Sequence, residues 1–202
     1  MADRGTRVLQ VLLVVAVVLV GVLSVEVQAL KPYQAQARRM RSFPHIGQWF
    51  PRTNLVTEKG DSLTIGETTS GRAQVVIFFR TTCPYCLASL PAWKSMSDSL
   101  MKDQRSRFDV IWITGSNWDS TASYAAKHNL NYAIGQFVDT KMPMVLKARV
   151  VPLTVILDRF GRVEYVHVQA VTERSTVDSL YSAAFRAAAA DSMLTAAGSA
   201  SR

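Results

Sequence analysis

Two cysteines are all that this 202-residue chain contains. A framework of disulfides stapling distant loops is therefore excluded. The two are Cys83 and Cys86, and a bridge closing so short a loop would add little stability. Histidine is almost as scarce. His45, His128 and His167 fall into no zinc-ligand spacing with the cysteines or with one another, so no metal site is expected. Each histidine is expected to be a surface or hydrogen-bonded polar residue. Position 87 is Leu, where covalent haem attachment would need His after the second cysteine. The sequence has no internal repeats. Acidic residues are also in deficit, with 15 Asp and Glu against 23 Lys and Arg, for a formal net charge of +8. The basic excess sits in short clusters such as Arg38, Arg39 and Arg41 rather than along one periodic face. That pattern argues against nucleic acid as a partner and fits a solvated stretch beside anionic lipid.

What the chain has in quantity at its start is apolar residues. Val8 to Val25 reads VLQVLLVVAVVLVGVLSV, with Gln10 and Ser24 as its polar interruptions. The run lacks the polar residues at helical spacing of a buried soluble helix. It sits at the short edge of a membrane-spanning helix and is long for the core of a signal peptide. Length favours a retained signal anchor, one N-terminal transmembrane helix. The alternative is a signal peptide cleaved after Ala29, because Val27-Gln28-Ala29 has the small-residue pattern that signal peptidase accepts, and the domain is then secreted. No cysteine follows the run, which excludes a lipoprotein anchor. Lys31, Arg38, Arg39 and Arg41 outnumber Arg4 and Arg7, which alone would hold the C-terminal part in the cytoplasm. That rule is strongest for short loops, and long domains cross despite their charge.

The expected organisation is a signal anchor or signal peptide over 1–29, a polar linker over 30–45, one domain over 46–190 and a flexible tail over 191–202. A domain of this size buries a core without staples. NLVT and SLTI flank a Glu58-Lys59-Gly60-Asp61 turn and predict a β-hairpin. Val75 to Phe79 (VVIFF) and Phe108 to Thr114 (FDVIWIT) read as buried strands. Pro84 to Gln104 reads as a helix with a kink at Pro91. Asp119 to His128 is helical and stops at Asn129. Lys141 to Arg149 predicts a short helix. Leu153 to Leu157 and Val163 to Val168 predict strands around an Asp158-Arg159-Phe160-Gly161 turn. Thr172 opens a final helix, with Glu173 and Asp178 near its positive end, and the chain from Ala187 is expected to fray. Alternating strands and helices followed by a closing hairpin and helix point to an α/β fold with a mixed sheet.

The two cysteines carry the chemistry. Thiolate is the reactive form of cysteine. A helix N-terminus stabilises it through free N–H groups and the helix dipole. Cys83 falls where a strand ends and a helix begins. Pro84 suits the first helical position, and Arg80 three residues earlier adds a positive field. Two intervening residues let both sulfurs meet in one turn. Cys83 can then attack a disulfide and Cys86 can resolve the mixed disulfide, with Pro84 and Tyr85 tuning the balance. No cofactor is expected beyond this redox-active pair.

VVIFF, the CPYC motif, Pro91 and the later VVPLTVILDRFGRV together resemble the thioredoxin superfamily. Within it the chain is most similar to the TlpA/ResA-like branch of membrane-tethered bacterial thiol–disulfide oxidoreductases, whose Gly-x-x-x-Pro and N-terminal hairpin match GQWFP and NLVTEKGDSLTI. The resemblance covers Gly47 to Val171. It implies a thioredoxin-like fold, with a central mixed β-sheet flanked by helices and an N-terminal hairpin extension. It also implies a cis Val151-Pro152 bond facing the cysteines, beside which an extended substrate segment pairs. The expected partners are protein thiols and disulfides and an upstream membrane or soluble dithiol donor. The expected location is the bacterial inner membrane, single-pass, with the domain periplasmic; cytochrome c maturation is one process such enzymes serve. Relatives carry Trp where this chain has Thr82. Many carry a buried acid at a site matching either Ile77 or Ser89, and neither is acidic here. CPYC with Val before Pro also resembles glutaredoxins and DsbA-like oxidants, so the direction of electron flow stays open. Two alternatives remain: a redox-sensing or partner-binding module with weak turnover, and a thiol peroxidase, which would need Thr where this chain has Arg80.

Overall fold

The computed structural model describes residues 13, 15–24, 26, 28, 43–67, 70–103 and 107–189. The chain divides into two units, Met1–Arg41 and Ser42–Arg202. In the first, residues 15–24 are helical and exposed, and Ser24 donates its hydroxyl to the Val20 carbonyl at 2.7 Å. Among the described residues no helix is long and apolar enough to cross a membrane. The span expected over Val8 to Val25 lies in part outside the described residues, as do most of the expected linker and the whole of the expected tail.

The second unit is built on a seven-stranded mixed sheet. Its elements are β1 (Thr53–Val56), β2 (Ser62–Ile65), β3 (Ala73–Phe79), α1 (Pro84–Met101), β4 (Phe108–Thr114), α2 (Trp118–His128), β5 (Ala133–Phe137), α3 (Met142–Val145), β6 (Leu153–Leu157), β7 (Val163–Val168) and α4 (Arg174–Ala189). The strand order is β2-β1-β5-β4-β3-β6-β7. β3, β4 and β5 run parallel; β6 and β7 close one side and the β1–β2 hairpin the other, all antiparallel. β3 is buried along its whole length, as a continuous apolar strand covered on both faces must be. Its alternate residues feed two cores: Val75, Ile77 and Phe79 join Trp93, Trp112 and Leu180 on one face, while Val76 and Phe78 join Phe50, Leu55 and Leu153 on the other.

Several expected boundaries move. α1 ends at Met101 with Lys102 as its cap, short of Gln104, and continues through Pro91. α3 is four residues rather than the nine from Lys141 to Arg149. The chain reverses at Lys147, whose φ is +56°, and Ala148 N–H closes back on the Pro143 carbonyl at 2.7 Å. α4 begins at Arg174, not Thr172, because the Glu173 carbonyl accepts from Thr176 and Val177 N–H and so stands just before the first turn. Ala187 does not fray; it is helical and buried in the core. β5 was not expected from the sequence at all.

Candidate active site

Cys83 caps α1. Its backbone is extended (φ −87°, ψ 114°), Pro84 opens the helix, and Cys86 N–H points at Cys83 Sγ from 3.3 Å. That N–H and the positive end of an 18-residue helix both favour negative charge on the sulfur. The two thiols are free and differently placed: Cys83 is half-buried and Cys86 fully buried one turn on. Burial, and then the hydrogen bond with Cys83, push the Cys86 thiol up to about 12; the Arg80 backbone and charge act in the opposite sense. The arrangement is one accessible sulfur beside a sheltered one that keeps its proton.

The loop before Cys83 is held from β4's far end. Ser116 Oγ accepts both the N–H and the hydroxyl of Thr81 at 3.0 Å. Thr82, Pro84 and Tyr85 are exposed around the sulfur. Arg80 is exposed too, its side chain lying across Gly115, where a Cβ would come within 3.0 Å of Nε. From the other side the Val151 carbonyl reaches 4.0 Å from Cys83 Sγ, and the Val151–Pro152 bond is cis, as expected. Trp93 of α1 donates its indole N–H to Thr154 Oγ1 at 3.0 Å. It thereby ties the cysteine helix to the strand that follows Pro152.

The two positions read for a buried acid have other uses. Ile77 is core. Ser89 Oγ donates to the Tyr85 carbonyl at 2.8 Å and accepts Val171 N–H at 2.9 Å, pinning the first turns of α1 to the chain leaving β7. Asp158, the buried carboxylate among the described residues, is engaged by Phe160 and Arg162 N–H at 2.8 Å each in the turn before β7.

Two cavities meet at Val151. One, of about 410 Å³, opens beside Arg80, Ser116, Gln136 and Arg149. The other, of about 610 Å³, opens beside Tyr85, Pro152, His167 and Glu173. His167 corrects the expectation of a surface or satisfied residue: its Nε2 is buried and has no hydrogen-bond partner among the described residues. Gln169, at the rim of the same cavity, is strained at φ +146°. Ser116, Arg149 and Gln169 carry no sequence motif and were not singled out from the sequence. No group of three His, Cys, Asp or Glu among the described residues could hold a metal ion.

The family model described as Redoxin matches residues 45–183. A comparison with curated protein sequences found no match. Three solved structures illustrate the likeness in fold. A protein from Chlorobium tepidum described as a thiol:disulfide interchange protein, DsbE, is 17% identical with a TM-score of 0.59, over 72% of this chain and 99% of that one. StoA from Bacillus subtilis is 17% identical with a TM-score of 0.53, over 69% and 98%. A peroxiredoxin-like protein from Aquifex aeolicus is 16% identical with a TM-score of 0.53, over 70% and 88%.

Proposed function

The chain belongs to the Redoxin family and is a thiol–disulfide oxidoreductase with a thioredoxin-like fold; from that premise we propose that Cys83 and Cys86 reduce or exchange disulfides in extracytoplasmic proteins. The observation that carries this reading is the unequal pair: an accessible sulfur at a helix N-terminus, 3.3 Å from the N–H of a buried second cysteine.

Cys83 thiolate attacks one sulfur of the substrate disulfide. A Cys83–substrate bond forms, the substrate S–S bond breaks, and the second substrate sulfur leaves as thiolate and takes a proton. Cys86 then loses its proton and attacks Cys83 Sγ. The Cys83–Cys86 bond forms and the first substrate sulfur departs. The pair is oxidised by two electrons and the substrate reduced by two; run backward, the same steps oxidise a substrate dithiol. An extended substrate segment lies along Val151, beside the sulfur. A separate dithiol donor, membrane-bound or soluble, returns the pair to its reduced form. The N-terminal apolar run holds the domain on the periplasmic face of the bacterial inner membrane, or releases it if cleaved after Ala29. Cytochrome c maturation is a process in this compartment that needs such a reductant.

Insulin reduction and glutathione disulfide exchange test the chemistry. Cys83→Ser is expected to abolish turnover. Cys86→Ser is expected to accumulate a mixed disulfide on Cys83, visible as a mass adduct. Equal rates for wild type and Cys83→Ser would sink the proposal. A reporter enzyme fused to the C-terminus tests the periplasmic location, and N-terminal sequencing tests cleavage.

A further inference from the structure

The cavity of about 410 Å³ beside Val151 has a charge pattern that disulfide exchange by itself does not use. It opens where the parallel strands β3, β4 and β5 end, at Phe79–Arg80, Thr114–Ser116 and Gln136–Phe137. The crevice at the carboxyl ends of parallel strands is where open α/β sheets collect ligands. Among the described residues two guanidinium groups, Arg80 and Arg149, line it, and no carboxylate does. Both arginines are exposed, and neither is ion-paired among the described residues, whose pairs are Arg72–Asp109 and Arg107–Asp103. Asp139, next in sequence to the lining residue Thr140, is turned to its own loop, where Oδ1 accepts Lys141 N–H at 2.8 Å. The amide of Gln136 is committed to the Ser116 carbonyl at 2.6 Å. Gly115 leaves the space that the Arg80 side chain occupies.

Two cations on one concave wall, with no counter-charge beside them among the described residues, select a negative group. The planar guanidinium fork matches a carboxylate in particular. Val151 belongs both to this wall and to the contact with Cys83 Sγ, so the cavity adjoins the place where a disulfide would sit on Cys83. We propose that this cavity is an anionic subsite, and that the disulfides turned over by Cys83 carry a carboxylate close to the reacting sulfur. The inference rests on the reading of Cys83 and Cys86 above and names its substrate class. The carboxylate makes and breaks no bond; it docks while the exchange proceeds as written. Its source is an acidic side chain in a protein segment, or a terminal carboxylate of a small peptide disulfide.

The test uses the full chain and three matched disulfide peptides with Glu, Gln or Lys two residues from the cysteine. Arg149 is the position to change, because Arg80 also acts on Cys86. Wild type is expected to prefer the Glu over the Gln peptide by about fivefold in kcat/KM at low salt, with the preference fading as salt rises. Arg149→Gln is expected to lower that ratio, and Arg149→Glu to turn it toward the Lys peptide. Glutathione disulfide against its dimethyl ester distinguishes the sources: an ester penalty that Arg149→Gln removes assigns the site to small peptide disulfides, and no such penalty assigns it to acidic protein segments. Glu, Gln and Lys peptides turned over in the same ratio by wild type and Arg149→Glu would overturn the subsite. If no peptide is turned over, the reading of the cysteines fails separately. The subsite is then decided by equilibrium binding of the same peptides, where salt-sensitive binding of the Glu peptide lost in Arg149→Glu supports it and equal binding overturns it.

Discussion

Cys86 keeps its proton where an ordinary thiol, of pKa about 8.5, would give it up. Burial is the main cause, and it raises this thiol to about 12. A reduced form that binds this proton more tightly takes up at least one proton for every two electrons, so the reduction potential keeps falling as pH rises. The potential of the Cys83–Cys86 pair is expected to fall by at least about 30 mV per pH unit between about pH 9 and pH 11, where an ordinary second thiol would let the slope flatten. Redox titration against dithiothreitol across that range checks it, and a flat response above pH 9 would show Cys86 ionised. Ser89 gives a second prediction. Ser89→Ala leaves the Val171 N–H without its buried partner and is expected to cost about 1–3 kcal/mol, read as a lower urea midpoint. The residues legible in the sequence were those whose chemistry is local: two cysteines one turn apart, the proline between them, and Arg80 just before. Pro152 was legible only through resemblance. Ser116, Arg149 and His167 owe their positions to the fold, and nothing in their neighbouring residues announces them.

Between single residues and the whole domain, β5 is the instructive element. AIGQF offers no alternation, and its central Gly135 reads as a strand breaker. Yet β5 is the strand to which the β1–β2 hairpin joins, through Leu55 opposite Phe137 and Val56 opposite Gln136. The glycine that hides the strand is required by it, since a Cβ at Gly135 would sit 2.9 Å from Leu55 Cβ and 3.4 Å from Leu63 Cδ1. Gly135→Val is expected to push the hairpin off the sheet and destabilise the fold by roughly 1–3 kcal/mol; an unchanged denaturation midpoint would show that the hairpin gives way without cost. The other strands were legible, β4, β6 and β7 to their ends, because each is a β-branched or aromatic run bounded by turn residues. Helix ends were less so. They are set by caps such as Asn129, which takes φ +52° and was readable, and by reversals such as Lys147, which was not.

At the scale of the molecule, both apolar clusters, among the described residues, are drawn from residues between Phe50 and Ala188. Chain starting at Ser42 is therefore expected to unfold cooperatively and to retain insulin-reductase turnover within about twofold, since a domain of this size supplies its own core. Broad, non-cooperative unfolding would show that the segment before Ser42 completes the fold. The fold class was legible because strand and helix periods alternate along the chain. The joining of hairpin to sheet was not, since it depends on a close approach that sequence periodicity does not encode.

The two sides of the site, Cys83 and Val151, stand 68 positions apart in the chain. At 5–20 residues added per second during synthesis, the interval between making the first and making the second is about 3–14 s. Every new copy thus passes through a stage in which its dithiol has been made and the wall beside it has not.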